Sequence, residues 1–485
     1  MEAELRRLSK RKLIQLVVQL TERLEVLEAR VVELEKRNHE LEDEVARLRK
    51  NSSNSSKPPS SDIVKPPAGE RKPGRPRKRG IGGQKGHDRH ESNLRIQDAD
   101  HAVHLHADQI PNASSLDLEP AHDHAPRTLF QYELADTPVP LAVYVAHPYR
   151  DRATGAIHYA PFPDQVRVAG ILGPRLTAFA ACVKGGTHAS YTGTTNVLRF
   201  LGADVCRATV CKKIQKVSAA LGFAHGQVLD ALPGQDRINI DETSHKDHPF
   251  DKPADHKTHW IWVFAAAGFT VFKIFGSRST DALRQVLGKD CCAVIGADFY
   301  SAYRCFMKEA NIKVQFCWAH LIRDIKFLGE SSNKVTANYG NRLLKLCRLI
   351  FHLQHRRAQL GEEVFGRRMA RLKKKFLSTG RHSHAAGTRD MVARLKGFGE
   401  EYFLFLENPK IEPTNNLAER EARHCVIDRR ITQGTRGNAG QRWCERIWTV
   451  LATCARQQRD AFEFVAESVS TFYAGLPQPS LLPSD

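Results

Sequence analysis

The sequence predicts a multidomain protein. An N-terminal coiled coil, a small β-rich module and a helical, helix-turn-helix-like segment precede an α/β core built on a mixed sheet and carrying an all-helical insertion. Three observations predict it: a leucine heptad within residues 1–50, a change at Pro233 from helical patterning to alternating strand and helix runs, and three carboxylates at element ends in that core, Asp241, Asp298 and Glu419.

The heptad can be counted. Leu13, Leu20, Leu27, Leu34, Leu41 and Leu48 recur every seven residues at d, with Val17, Leu24, Val31, Asn38 and Val45 at a. Arg23 with Glu28, Arg30 with Glu35 and Arg37 with Glu42 stand in the g-to-next-e relation of a parallel, in-register dimer. A solvated helix docked on its own protein has no use for that pattern, and Asn38 at a single a site selects two strands at some cost in stability. Self-association is therefore the expected pairing, and a coil with a different chain is the lesser option.

Residues 51–92 read as a disordered basic linker, opening with the Ser-, Asn- and Pro-rich run 51–62, which lacks the apolar surface to fold. Nine Lys and Arg fall between Lys65 and Arg89, threaded with Gly and Pro. Arg75, Arg77 and Lys78 lie in a Pro-Gly-Arg-Pro-Arg-Lys arm suited to the narrow minor groove of A·T-rich DNA, and a flexible basic tether is the alternative. The whole chain of 485 residues has 73 Lys plus Arg against 54 Asp plus Glu, a formal net charge of +19. That excess calls for a polyanionic partner, and double-stranded DNA is the leading one. No transmembrane segment, secretory signal or CxxC pair is read among the eleven cysteines, so a reducing cytoplasmic, nucleoid-associated setting without membrane contact is expected.

Residues 93–170 alternate apolar and polar in short runs such as Leu141–Ala146 and predict a β-rich module. Its histidines (His101, His104, His106, His122, His124) raise a zinc reading, but no cysteine accompanies them, and exposed strand histidines are the default. Residues 171–232 turn helical. Thr195–Val210 has helix, Gly-bearing turn and helix at helix-turn-helix spacing, with Arg207, Lys212, Lys213 and Lys216 as its phosphate-contacting face; an ordinary helical hairpin looks the same.

From 233 to 329 the strands are predicted at Ile238–Asp241, Trp260–Ala267, Thr270–Phe275, Ala293–Asp298 and Val314–Trp318, the second and third forming a hairpin. Asp241 and Asp298 then lie on neighbouring strands. Residues 330–410, helical and basic, are too long for a loop and predict an inserted subdomain before the C-terminal helices at 411–485.

Three carboxylates so placed suit phosphodiester cleavage, which uses two divalent metals about 3.5–4 Å apart, one activating the attacking oxygen and one neutralising the leaving oxygen. Mg²⁺ or Mn²⁺ takes oxygen ligands, one or two carboxylates each, completed by phosphate and water. Singly, each residue has a plainer role: an Asp ending a strand forms turns, and Asn416-Leu-Ala-Glu419 reads as a variant capping box.

The chain resembles the insertion-sequence-66 family of bacterial transposases over nearly its whole length. The resemblance is carried by the leading coil, the 51–62 tract, Gly82-Gly-Gln-Lys-Gly-His87, Asp241-Glu-Thr, Asp298 with Tyr303, Cys317-Trp-Ala-His320 with Arg323, and Asn415-Asn-Leu-Ala-Glu-Arg420. It implies an RNase H-like core in which Asp241, Asp298 and Glu419 hold two Mg²⁺ ions and act as a DDE triad. It implies cleavage at element ends, where water frees a 3′ hydroxyl, followed by attack of that hydroxyl on target DNA. It places His320, Arg323 and Arg420 as support near the site, with Arg423 on the same helix attracting DNA, and small accessory proteins of the element as further partners. Family members commonly carry a Cys-ligated zinc module where residues 93–170 have no cysteine, so no structural zinc is expected here. Glu445 and Glu412 compete with Glu419 for the third position. A dimeric DNA-binding protein without catalysis and a nuclease that cuts without joining are the alternatives.

Overall fold

The computed structural model of the chain describes residues 10–48, 138–152, 157–248 and 257–483. The basic linker with Arg75, Arg77 and Lys78, and the histidines His101, His104, His106, His122 and His124 of the β-rich module, lie outside them. The chain divides into two compact units, one of residues 1–66, 144–200 and 204–485, and a second of 67–143 with 201–203 that falls almost wholly outside the described residues.

Helix α1 runs unbroken over Lys10–Leu48. Among its heptad residues Val17 is 60% exposed, Leu27 is 62% exposed, and Leu20, Leu24, Val31, Leu34 and Leu41 are exposed with them. A leucine stripe left uncovered on a 39-residue helix is an apolar face without a partner among the described residues.

Of the β-rich module, a hairpin of β1 (Pro148–Arg150) and β2 (Ile157–Tyr159) is described. The run Leu141–Ala146, expected as a strand, is not one: it pairs with no strand among the described residues, and Leu141 is 91% exposed. Alternation alone does not make a strand where no sheet receives it. Helices α2 (Asp164–Ala169) and α3 (Pro174–Gly186) follow. Residues 164–186 include an apolar window of mean hydropathy 1.4. Gly170, at φ 61°, breaks the stretch into helices of 6 and 13 residues, whereas spanning a bilayer takes about 20 continuous residues.

Helix α4 (Tyr191–Phe200), a turn with Gly202 at φ 91°, and α5 (Arg207–Ala220) follow in the expected helix–turn–helix order, and α6 (Gly222–Asp230) leads into the core. The expected basic face of α5 is corrected in one residue. Lys213 is 7% exposed and donates to the Ala169 and Leu172 carbonyls, which lie at and beyond the C-terminus of α2. Its charge is used against that helix end. Lys216 donates to Val168 O at 2.9 Å, while Arg207 and Lys212 face solvent.

The core sheet has five strands in the order β5-β4-β3-β6-β7, namely β3 (Arg237–Asp247), β4 (Lys257–Ala265), β5 (Thr270–Phe275), β6 (Val294–Ala297) and β7 (Val314–Phe316). β3, β4 and β5 pair antiparallel, and β3, β6 and β7 parallel, giving the mixed sheet that a hairpin followed by strand–helix–strand predicts. Helices α7 (Thr280–Leu287), α8 (Ser301–Glu309) and α9 (Trp318–Gly329) connect and extend it. β3 is longer than expected. It continues through Glu-Thr-Ser-His-Lys-Asp because β4 pairs with it as far as Asp247, its apolar run meeting Asn239–Ser244 and Lys257–His259 meeting the rest, so Asp241 sits mid-strand.

Between the two parts of the core lie α10 (Lys334–His355), α11 (Arg357–Leu360), α12 (Glu362–Arg381) and α13 (Arg389–Phe398). They close over Trp318, whose ring is 5.1 Å from Phe376, 5.2 Å from Phe403 and 5.6 Å from Phe351. The chain returns through α14 (Asn416–Thr432), α15 (Gly437–Gln457) and α16 (Ala461–Ala474).

The free edge of β5 is covered by α15. Thr270 N, Phe272 N and Ile274 N donate to Thr453 Oγ1, Thr449 Oγ1 and Glu445 Oε1 at 3.2, 3.0 and 2.8 Å. Two residues of strand rise about 6.6 Å and four of helix about 6 Å, so every second strand N–H meets every fourth helix side chain. Edge donors that would otherwise be buried and unpaired are satisfied this way.

Candidate active site

The ladder between β3 and β6 pairs Arg237 with Val294, Ile238 with Ile295 and Asn239 with Gly296, and stops there. Beyond Asn239 only β4 flanks β3, so the sheet opens beside Asp241. Asp298 comes just after β6, and its Oδ1 accepts the Tyr300 N–H at 2.9 Å, a turn that leads into α8.

Neighbouring strand residues face opposite ways, which separates Asp241 from Glu242. Glu242 is buried; Arg278 donates to its Oε1 from Nε at 2.8 Å and Nη2 at 2.5 Å, and the Tyr303 hydroxyl donates to Oε2. The Arg278 guanidinium stacks on Tyr300 at 3.9 Å and Trp260 at 4.9 Å. Burial, then the charge of Asp298, pushes the Glu242 carboxyl up to about 7, against the opposing pull of Arg278 and Tyr303. Sequence reading did not find this network: Glu242 and Tyr303 stand in two separate motifs, and nothing local links them to each other or to Arg278.

Glu419 arrives from α14. Asn415, the residue before that helix, does not cap it with its side chain. Instead Asn415 Nδ2 donates to Ile240 O at 2.7 Å and Oδ1 accepts from Asn239 Nδ2 at 2.9 Å, while its backbone N–H reaches Cys317 Sγ at 3.2 Å. Trp318 N donates to Pro413 O at 2.9 Å and Cys317 N to Ala297 O at 2.8 Å. The start of α14 is thus stitched both to β3 and to the β7–α9 junction. The capping-box reading of Asn416 and Glu419 is corrected: the cap position is Asn415, and its amide is committed to the sheet.

Glu419, its side chain 29% exposed, has Oε1 at 3.5 Å from His320 Nδ1. Burial, then the Arg323 charge, lowers the His320 pKa, while Asp298 and Glu419 oppose that. Asp241 is held well above the ordinary carboxylate range, first by burial and then by the charges of Glu242, Asp298 and Glu419. Asp241, Asp298, Glu419 and His320 therefore share one electrostatic centre, with Arg323 beside it. Converging carboxylates repel until a cation neutralises them, and an all-oxygen set is what Mg²⁺ or Mn²⁺ prefers, so these residues fit such ions. Among the described residues, one donor atom each of Cys317, His320 and Glu419 also lies within 4.8 Å of the others.

The competitors for the third position lie elsewhere. Glu445 is buried against the β5 edge, pairing with Lys273 Nζ at 3.1 Å in addition to Ile274 N, and Glu412 is exposed. Arg420 and Arg423 face solvent on α14. Arg429, further along α14, is turned inward, donating to Thr243 Oγ1 and Ser244 Oγ at 3.0 and 2.9 Å and to Ser244 O.

Residues 169–442, more than half of the chain, match the model of the Transposase IS66 family. Residues 2–93 match a family of unknown function, DUF6444. The chain is also 23% identical over 355 residues to "Uncharacterized protein y4qI" of Sinorhizobium fredii (strain NBRC 101917 / NGR234), covering 68% of this chain and 65% of that protein's length.

Proposed function

The chain belongs to the IS66 family of transposases, and from that premise we propose that it binds the ends of an insertion sequence, cleaves the DNA there and joins the freed 3′ end to target DNA. The observation that carries the catalytic reading is the convergence of Asp298 and Glu419 on Asp241, whose carboxyl their charges raise. Asp241, Asp298 and Glu419 would hold the divalent ions. When bound, Mg²⁺ or Mn²⁺ supplies activation of the attacking oxygen and charge neutralisation at the leaving one. Asn415 fixes where Glu419 stands, and His320 and Arg323 flank it. Arg420, Arg423, Arg207 and Lys212 are placed in solvent, available to phosphate, and Arg368, Arg371, Lys374 and Lys375 add an exposed basic face on α12.

Two catalytic units are needed to pair two element ends, and the exposed leucine stripe of α1 with its complementary g and e charges supports a parallel dimer. The test is a Mg²⁺-dependent cleavage and joining assay on terminal-repeat DNA, comparing the wild type with Asp298→Asn. Cleavage and joining abolished by the substitution is the expected result. Equal activity in both proteins would sink the catalytic claim and leave a DNA-binding protein, and cleavage without joining would leave a nuclease.

A further inference from the structure

Beside the carboxylates sits a donor set of different chemistry. Cys317, the N-cap of α9, and His320, in its first turn, are spaced C-x-x-H, and Glu419 faces them from α14. One atom of each lies within 4.8 Å of the others, and His320 Nδ1 is 3.5 Å from Glu419 Oε1. Tetrahedral zinc, about 2.3 Å from sulfur and roughly 2.0–2.2 Å from nitrogen or oxygen, sets its ligands roughly 3.5 Å apart. The sulfur therefore needs to close by only about an ångström. Mg²⁺ has no use for thiol and imidazole, whereas zinc-class ions select them.

Two further features match a ligand role. Asn415 N–H donates to Cys317 Sγ at 3.2 Å, an outer hydrogen bond of the kind that steadies a metal-bound thiolate. Glu419 Oε1 is enclosed and takes no hydrogen bond from the described residues, although its carboxylate sits in a half-buried setting. Three protein ligands leave a fourth position for water or substrate oxygen.

We propose that Cys317, His320 and Glu419 form a binding site for one thiophilic divalent cation of the zinc class. The site is separate from the β-rich module, where no zinc is expected, and it shares Glu419 and the flanking His320 with the catalytic reading while Cys317 belongs to it alone.

Co²⁺ titrated into the reduced full-length chain is the probe, read by sulfur-to-cobalt charge-transfer absorption in the near ultraviolet. The wild type is expected to develop a band saturating at one equivalent and bleached by Zn²⁺. Cys317→Ser, close in shape and checked by circular dichroism for folding, is expected to lack it. His320→Ala and Glu419→Gln should weaken cobalt binding by about 10- to 100-fold. Asp241→Asn, outside the donor set, should keep the band. A wild type without the band, or a Cys317→Ser chain with an undiminished one, would overturn the site. A chain that shows the band but joins no DNA retains this site and loses the catalytic reading; joining without the band is the reverse.

Discussion

Asp241 on β3 and Asp298, the residue after the neighbouring parallel strand β6, share one register: the sequence offset that pairs Asn239 with Gly296 is the offset that separates the two aspartates. They lie two residues past the last pair of the ladder, where β6 ends and β3 continues, so both reach the same opening in the sheet.

Their proximity has a cost in the metal-free chain. Asp241 is held well above the ordinary carboxylate range by burial and by Glu242, Asp298 and Glu419. Replacing it with a neutral amide removes that repulsion and should raise Tm without Mg²⁺. The same Asp241→Asn substitution should abolish the additional Tm rise that Mg²⁺ gives the wild type. Differential scanning fluorimetry with and without Mg²⁺ checks both, and an undiminished Mg²⁺ response would count against Asp241 as a ligand.

Gly296 is small for a reason that reaches Glu419. A Cβ there would lie 2.7 Å from Asn239 Nδ2, the group that holds Asn415. Gly296→Ala and Asn415→Ala should each displace the start of α14 and slow joining by about 10- to 100-fold, since misplacing a catalytic group by an ångström costs up to that much. Terminal-repeat affinity should persist, because neither residue is offered to DNA. Single-turnover joining beside a filter-binding titration separates the effects; wild-type rates in both variants would remove the positioning role.

The α1 stripe predicts a dimer that depends on its d residues. Leu27→Glu with Leu34→Glu should convert the full-length chain to monomer in sedimentation equilibrium at micromolar concentration, and Asn38→Leu should raise thermal stability while admitting larger oligomers. A wild-type mass unchanged by the double substitution would exclude the zipper as the dimer contact.

Two buried histidines make the core acid-sensitive. Burial pushes His225 and His245 down to about 4, His225 against its contact with Phe272 O at 3.2 Å. Because the folded pKa lies below the unfolded value, the unfolded chain binds more protons between pH 6.5 and 4, and stability falls as pH drops through that window. Each group contributes about 3 kcal/mol to the loss. Urea denaturation at pH 7 and pH 5 should show it, and His225→Gln should flatten the slope.

Much of this was legible because periodicity reports secondary structure. The helical run of α1, the apolar runs of β4 and β5 and the turn after β6 all carry their signal locally. β3 past Asp241 does not: Glu-Thr-Ser-His-Lys-Asp has no strand pattern, and only pairing with β4 makes it one. Glu242, Arg278 and Tyr303 are far apart in sequence, so their network was invisible there. The cap reading of Glu419 failed for a similar reason, because the partners of Asn415 lie on a distant strand. Lys213 was misjudged as surface because its helix face is decided by α2.

The third carboxylate carries the most weight. Glu445 is committed to Ile274 N and Lys273 at the sheet edge, while Glu419 faces the aspartates. Single-turnover strand joining at saturating Mg²⁺, measured for Glu419→Gln and Glu445→Gln against the wild type, tests this most directly. The predicted result is a loss of about 10³-fold or more for Glu419→Gln and a nearly wild-type rate for Glu445→Gln, whose amide oxygen still accepts from Ile274. Retained joining in Glu419→Gln together with its loss in Glu445→Gln would contradict the proposed centre.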